Sequence, residues 1–127
     1  MEASSGSTVL VVDDEPAIRM LCRLNLELEG FRVLEADGAD TARRVFESER
    51  VDVLLVDVHL GKTDGRELVR EVLAREHAPR IALLTGTFEL DEDQRAGADA
   101  VIEKPFTLEA LISTVQRLAR DVDSSTA

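Results

Sequence analysis

Five short, almost purely apolar segments recur along this chain, and they limit the folds open to it more than any other feature. Rich in Val, Ile and Leu, they lie at residues 9–12, 31–35, 53–56, 80–84 and 100–102. Amphipathic stretches with helical periodicity separate them. A strand buried on both faces has apolar residues at successive positions, as happens when helices cover both faces of a parallel sheet. The sequence therefore predicts an α/β fold with five strands.

The alternation of strands and helices also predicts how the sheet is arranged. Crossovers between parallel strands are right-handed in nearly all proteins, so this alternation favours an open, doubly wound sheet. We predict a five-stranded parallel sheet with the strand order 2-1-3-4-5. In such sheets, ligands bind beyond the carboxyl ends of the strands.

Four amphipathic helices are predicted, over residues 15–29, over residues 39–47, from Asp64 onward and over residues 107–122. The apolar positions of the first helix are Ile18, Leu21, Leu24 and Leu28. Gly30 ends this helix. Asp64 caps the third helix, with Glu67 three residues later as in a capping box. The inward-facing residues of the third helix are predicted to be Leu68, Val69, Val72 and Leu73.

One further helix is predicted to be shortened. Between Thr85 and Ala98 the large apolar residues are Phe88 and Leu90 alone, which leaves too little for a full amphipathic face. The last helix, in contrast, has Thr107 as its N-cap and the most regular apolar pattern in the chain.

Length and charge exclude several classes of protein. With 127 residues the chain is one domain, which we place at residues 8–122 between flexible, Ser-rich tails at 1–7 and 123–127. Fifteen Lys and Arg residues against 26 Asp and Glu residues give a net charge of −11, which repels nucleic acid and anionic membranes. The longest apolar runs have four residues, whereas a membrane span requires about 20. Cys22 is the only cysteine, so no internal disulfide can form, and we expect a cytoplasmic protein.

Five polar residues follow the predicted strands at one edge of the sheet. They are Asp13 and Asp14 after the first strand, Asp57 after the third, Thr85 after the fourth and Lys104 after the fifth. Three carboxylates about 5 Å apart repel one another by roughly 3 kcal/mol per pair at an effective dielectric of about 20. Lys104 offsets one charge, and a hard divalent cation such as Mg²⁺ would offset the remainder. We therefore expect a metal site at this edge.

These residues, in this order, resemble the receiver domain of bacterial two-component response regulators. The matching motifs are Asp13-Asp14, Asp57, Asp64-Gly65, Thr85, Gly97-Ala98-Asp99 and Lys104-Pro105-Phe106, and the resemblance covers about residues 8–120. It implies the flavodoxin-like fold of receivers and a signalling role. The domain would catalyse its own phosphorylation from a phosphohistidine donor and its own dephosphorylation, and it would not be a metabolic enzyme.

The resemblance assigns a role to each residue at the strand ends. Asp57 would be the phosphoacceptor for a sensor histidine kinase or a histidine phosphotransfer protein. Lys104 would pair with a phosphoryl oxygen, Thr85 would hydrogen-bond another, and Pro105 would follow a cis peptide bond.

The resemblance also implies a Mg²⁺ site. Asp14 and Asp57 would bind the ion directly, and Asp13 would bind it mostly through water. The backbone carbonyl of His59 would be a further ligand.

Some positions depart from the receiver pattern. Val101 stands where an aromatic residue usually couples phosphorylation to the outer surface, so this coupling is not expected here. Gly61 and Gly86 replace the commoner proline and alanine and should loosen their loops. His59 and Thr87 occupy the variable positions that flank the phosphoryl group, where they either modulate hydrolysis or merely face solvent.

Other functions compete with a phosphorylated switch. A haloacid-dehalogenase-like phosphohydrolase also uses an Asp nucleophile and Mg²⁺, but it requires Asp-x-Asp after the first strand, where this chain has Asp13-Asp14-Glu15. A degenerate receiver that serves only as a scaffold is disfavoured by the intact Asp57, Thr85 and Lys104. A complete protein of this kind would act through protein contacts, either as a phosphate shuttle or sink in a relay or as a regulator that docks on a partner. A piece of a longer protein would be the receiver of a hybrid kinase or of a transcription factor.

Overall fold

The computed structural model describes residues 6–86 and 92–126. The strands are β1 (Thr8–Val12), β2 (Arg32–Ala36), β3 (Val53–Asp57), β4 (His59–Leu60), β5 (Thr63–Asp64), β6 (Arg80–Thr85) and β7 (Ala100–Glu103). The helices are α1 (Pro16–Leu28), α2 (Ala39–Ser48), α3 (Gly65–Leu73), α4 (Glu92–Arg95) and α5 (Leu108–Thr126). No helix in these two segments is long and apolar enough to cross a bilayer.

Five strands form one parallel sheet in the order β2-β1-β3-β6-β7, which confirms the predicted order. In the register of the sheet, Val12 lies beside Val56, and Asp57 lies beside Leu84. The carboxyl ends of the central strands therefore meet at one edge. Two short strands that the sequence did not predict, β4 and β5, form an antiparallel hairpin just beyond this edge.

The core consists of two apolar clusters, one on each face of the sheet. Val9 and Val11 of β1 pack in the cluster that α1 and α5 cover, whereas Leu10 and Val12 pack in the cluster under α2 and α3. All five residues of β1 and of β3 are buried. Burying each Val or Leu side chain of these strands stabilises the fold by about 1.5–3 kcal/mol, which explains why the strands lack polar alternation.

The buried face of α1 differs from the predicted one. Cys22 and Leu26 are buried, and Ile18 packs partly against the core. Three leucines that the pattern placed on the inward face are exposed instead: Leu21 at 39%, Leu24 at 48% and Leu28 at 82%. Apolar residues occupy both stripes of this helix, so spacing alone could not tell the inward stripe from the outward one.

The end of α1 confirms one prediction, and the buried face of this helix contains the one cysteine of the chain. Gly30 follows the helix in the left-handed region at φ 94°, as expected of a residue that ends a helix. Cys22 is buried, and this burial raises the pKa of its thiol to about 12, so the thiol is protonated at neutral pH.

The caps of the later helices agree in part with the sequence. Thr107 caps α5, since its Oγ1 accepts a hydrogen bond from the Ala110 N–H at 3.0 Å. Asp64 caps α3, but its Oδ1 accepts from the Arg66 N–H at 2.9 Å, two residues along the chain and not three. Leu73, predicted to face inward, is the last residue of α3 and is 38% exposed.

Regular structure is present near both ends of the described chain. Ser7 is buried, and its carbonyl accepts a hydrogen bond from the Arg32 N–H at 2.9 Å. At the other end α5 runs to Thr126. The domain bounds of 8–122 stay a prediction. The predicted short fourth helix is confirmed, with four residues in α4. Phe88 and Leu90 lie outside the described residues.

Candidate functional site

The sheet brings the five predicted polar residues to its carboxyl edge. Asp13 and Asp14 follow β1, whereas Asp57 and Thr85 are the last residues of β3 and β6. Lys104 follows β7, and its backbone N–H donates to the carbonyl of Thr85 at 2.8 Å. The parallel register therefore places these groups side by side.

Lys104 links two of the three acids. Its Nζ donates to Asp13 Oδ2 at 2.8 Å and to Asp57 Oδ2 at 2.6 Å. The side chain of Asp13 is fully buried, whereas that of Asp57 is 8% exposed. The lysine therefore neutralises charge at the base of the cluster. The peptide bond between Lys104 and Pro105 is cis, as the resemblance to receiver domains implied.

The pKa of Lys104 reflects opposing influences. Burial lowers it, but the hydrogen bonds and charges of Asp13 and Asp57 outweigh burial and raise it above the ordinary value of 10.5. A raised lysine pKa means that the stability contributed by these pairs is fully present below pH 10.5 and is lost as the pH rises through the folded-state pKa. The pairs are therefore intact at neutral pH.

Backbone N–H groups also hold one carboxylate oxygen of each of the three acids. Asp13 Oδ1 accepts from the Glu15 N–H at 2.9 Å, and Asp57 Oδ1 accepts from the His59 N–H at 2.7 Å. Asp14 Oδ2 accepts from the Gly61 N–H at 3.1 Å. Carboxylates held in this way keep their orientation without a metal ion.

The acidic cluster fits a hard divalent cation. Asp13, Asp14 and Asp57 each offer a carboxylate oxygen, and these oxygens lie within 4.8 Å of one another. Asp14 is exposed, which opens the cluster to solvent. Three carboxylates beside one ammonium group leave an excess of negative charge, and oxygen donors are the ligands that Mg²⁺ prefers. The predicted ligand role of the His59 carbonyl stays a prediction.

Adding Mg²⁺ should stabilise the folded protein, because an ion held by these three carboxylates would bind the assembled cluster and not the unfolded chain. At a concentration ten times Kd the gain is about 1.4 kcal/mol, measured as a rise in the thermal midpoint. Asp14→Ala should abolish most of this rise, whereas Asp40→Ala, which removes an exposed carboxylate of α2, should leave it unchanged. An equal midpoint for the parent protein with Mg²⁺ and with EDTA would contradict the metal site.

Two residues that the sequence left without a role support the site. Gly65 lies so close to β3 that a Cβ atom there would overlap the carbonyl oxygen of Asp57 and lie 3.1 Å from Val56 Cγ2. Arg19 donates from its Nη1 to the carbonyl of Asp13 at 2.6 Å. The Asp64-Gly65 motif pointed to the first of these, but no signal in the sequence indicated the second.

Two surface grooves lie away from the acids. One of about 370 Å³ and one of about 500 Å³ share Arg50, Val51, Glu76 and His77, next to the amino ends of β3 and β6. None of the five polar residues lines them. The acidic cluster is therefore the candidate site because of its charge and geometry and not because it lines a cavity.

Known proteins resemble the chain over most of its length. Residues 9–116 match the family model of the response regulator receiver domain. The phosphate regulon transcriptional regulatory protein PhoB of Pseudomonas aeruginosa is 33% identical over 120 residues, covering 91% of this chain and 52% of that protein. The transcriptional regulatory protein ResD of Bacillus subtilis is 34% identical over 122 residues, covering 94% of this chain and 51% of that protein. The chain thus spans about half the length of these curated relatives.

Solved structures agree with this match. The chemotaxis response regulator CheY4 of Vibrio cholerae superposes with a TM-score of 0.83 and 29% identity, covering 90% of this chain and 99% of that one. A CheY-like receiver domain protein of Methanospirillum hungatei gives a TM-score of 0.86 and 27% identity, covering 95% of this chain and 99% of that one. On sequence and structure together, the chain belongs to the response regulator receiver domain family.

Proposed function

We propose that this receiver domain takes up a phosphoryl group on Asp57 in a Mg²⁺-dependent reaction and signals through protein contacts. The donor is the phosphohistidine of a sensor histidine kinase or a histidine phosphotransfer protein. One observation carries the proposal: Asp57 contacts Lys104, and its side chain is 8% exposed. Asp13 contacts the same lysine but is fully buried, so a donor cannot reach it.

The chemistry that this arrangement supports is a phosphoryl transfer. An Asp57 oxygen forms a bond to phosphorus while the bond from phosphorus to the donor nitrogen breaks, and the electron pair stays on the imidazole. An ionised carboxylate needs no general base. Because the transition state spreads charge over the equatorial oxygens, the protein has to position the groups and neutralise charge.

Particular side chains fill these roles. The Lys104 ammonium, already 2.6 Å from Asp57, is placed to pair with a phosphoryl oxygen. Thr85 ends the neighbouring strand, and we assign its hydroxyl to another phosphoryl oxygen. Bound Mg²⁺ would supply further positive charge, held by Asp14 and Asp57, by Asp13 through water and by the carbonyl of His59.

The partners follow from the family and the charge. Receiver domains are signalling modules, and this one would pass its state to a downstream protein. Its net charge of −11 disfavours direct contact with nucleic acid or anionic membranes.

We place the domain in the cytoplasm, where it would also catalyse its own dephosphorylation. His59 is exposed beside Asp57 and could influence that reaction, whereas Thr87 lies outside the described residues.

Incubation with acetyl phosphate tests the proposal without knowledge of the kinase. In Mg²⁺ we expect the protein to gain one phosphoryl group per chain, seen as a mass increase that alkali removes. With EDTA in place of Mg²⁺ the increase should disappear. Uptake that is equal in EDTA, or no uptake at all, would overturn the proposal.

A further inference from the structure

The acids of the site hold the loop that follows β3. Asp57 Oδ1 accepts from the His59 N–H at 2.7 Å, and Asp14 Oδ2 accepts from the Gly61 N–H at 3.1 Å. Both N–H groups belong to residues 58–64, which we call the acid loop. Its conformation therefore depends on what the carboxylates bind.

The acid loop is rigidly joined to the start of α3. His59 pairs with Asp64, and Leu60 pairs with Thr63, in the β4–β5 hairpin. Asp64 then caps α3 by accepting from the Arg66 N–H. Because Asp64 lies opposite His59 in this hairpin, a displacement of His59 would also move Asp64.

Arg66 connects this hairpin to a distant part of the chain. Its Nε and Nη2 donate to the Asp64 carboxylate at distances from 2.6 to 3.1 Å. Its Nη1 donates to the carbonyl of Gln94 in α4 at 3.0 Å. The planar guanidinium group suits this task because it can hold a carboxylate and a carbonyl at the same time.

The described part of the helix that Arg66 reaches is short. Its four residues are too few to be stable alone, and Gln94 and Arg95 are exposed. Ala96 and Gly97 follow it in the left-handed region, at φ 55° and 88°. Alanine rarely adopts this conformation, so the end of α4 has to be held by its contacts.

We propose that Arg66 is a positioning residue that couples the state of Asp57 to α4. The inference rests on the proposed function, since phosphorylation is what changes Asp57. When an Asp57 oxygen becomes bonded to phosphorus, the negative charge moves to the phosphoryl oxygens, and the charge-assisted bond from His59 weakens. The acid loop then shifts, Asp64 moves with it, and Arg66 passes the displacement to the end of α4. This route does not use residue 101, which is Val here.

Backbone NMR with beryllofluoride and Mg²⁺, a mimic of the phosphoryl group, tests the coupling. In the parent protein we expect amide shifts in the acid loop and at residues 94–99. Arg66→Ala should still bind the mimic and shift the acid loop but lose the shifts at 94–99. Arg66→Lys should lose them as well, because one ammonium group cannot replace the guanidinium fork. Arg70→Ala, the control, removes an exposed arginine from the same helix and should behave like the parent.

Two results would overturn the coupling: shifts of parental size at residues 94–99 in Arg66→Ala, or a parent protein that binds the mimic without shifts there. A parent that does not bind the mimic would contradict the proposed function instead. The coupling is then decided by Asp57→Ala, which removes the contact to His59 without any ligand. Compared with the parent protein, Asp57→Ala should show amide shifts at residues 94–99. Adding Asp57→Ala to Arg66→Ala should cause no such shifts, and shifts of the same size in that double variant would overturn the inference.

Discussion

Replacing Lys104 by methionine is expected to slow phosphoryl uptake at Asp57 about a hundredfold. Removing one hydrogen-bond donor that stabilises charge in the transition state has an effect of this size in enzymes. The Lys104 ammonium lies 2.6 Å from the Asp57 carboxylate. Methionine keeps an unbranched apolar side chain but provides neither a charge nor a donor. The initial rate of mass gain at fixed acetyl phosphate and Mg²⁺ measures the effect.

The chain provides a matched control for this variant. Lys62 is the only other lysine, and it is exposed in the acid loop. Lys62→Met makes the same change in net charge but should leave the rate close to that of the parent protein. If the two variants took up phosphate at similar rates, Lys104 would have no special role in the reaction.

The second large effect concerns stability. Gly65→Ala should lower the free energy of unfolding by about 3 kcal/mol, since the added methyl group overlaps the backbone of β3. The overlap is with the carbonyl oxygen of Asp57, which cannot move without displacing the site. In an ordinary helix the same substitution would be favourable by about 1 kcal/mol, so the sign of the change is diagnostic.

Urea unfolding measures this difference. Gly86→Ala is the control, because a Cβ atom there meets no described atom within 4 Å outside the two neighbouring residues, and its φ lies outside the left-handed region. We expect Gly86→Ala to change stability by less than about 0.5 kcal/mol. Equal midpoints for the two variants would show that the close approach of Gly65 to β3 has no energetic consequence.

The sheet and the acidic cluster could be predicted from the sequence because both depend on short, local signals. Buried parallel strands have no polar alternation, so the boundaries of β1 and β3 were predicted within one residue. Once the strands are known to be parallel, their carboxyl ends must share an edge. This was enough to bring Asp13, Asp57 and Lys104 together before any distance was known.

The parts that could not be predicted depend on tertiary packing. In α1, Leu24 and Leu26 are equally apolar, and only the placement of the helix on the sheet decides that Leu26 is buried. The β4–β5 hairpin has two residues in each strand, too few for a periodic pattern. Arg66 contacts Gln94 across 28 residues of sequence, and no spacing rule predicts such a contact.

The central claim is that Asp57 is the phosphoacceptor, and intact-mass measurement after incubation with acetyl phosphate and Mg²⁺ tests it most directly. The parent protein and Asp40→Asn, which alters an exposed carboxylate on α2, should each gain one alkali-labile phosphoryl group. Asp57→Asn should gain none, because its amide is a poor nucleophile and no other carboxylate combines contact to Lys104 with exposure to a donor among the described residues. Uptake of a full alkali-labile phosphoryl group by Asp57→Asn would contradict the account.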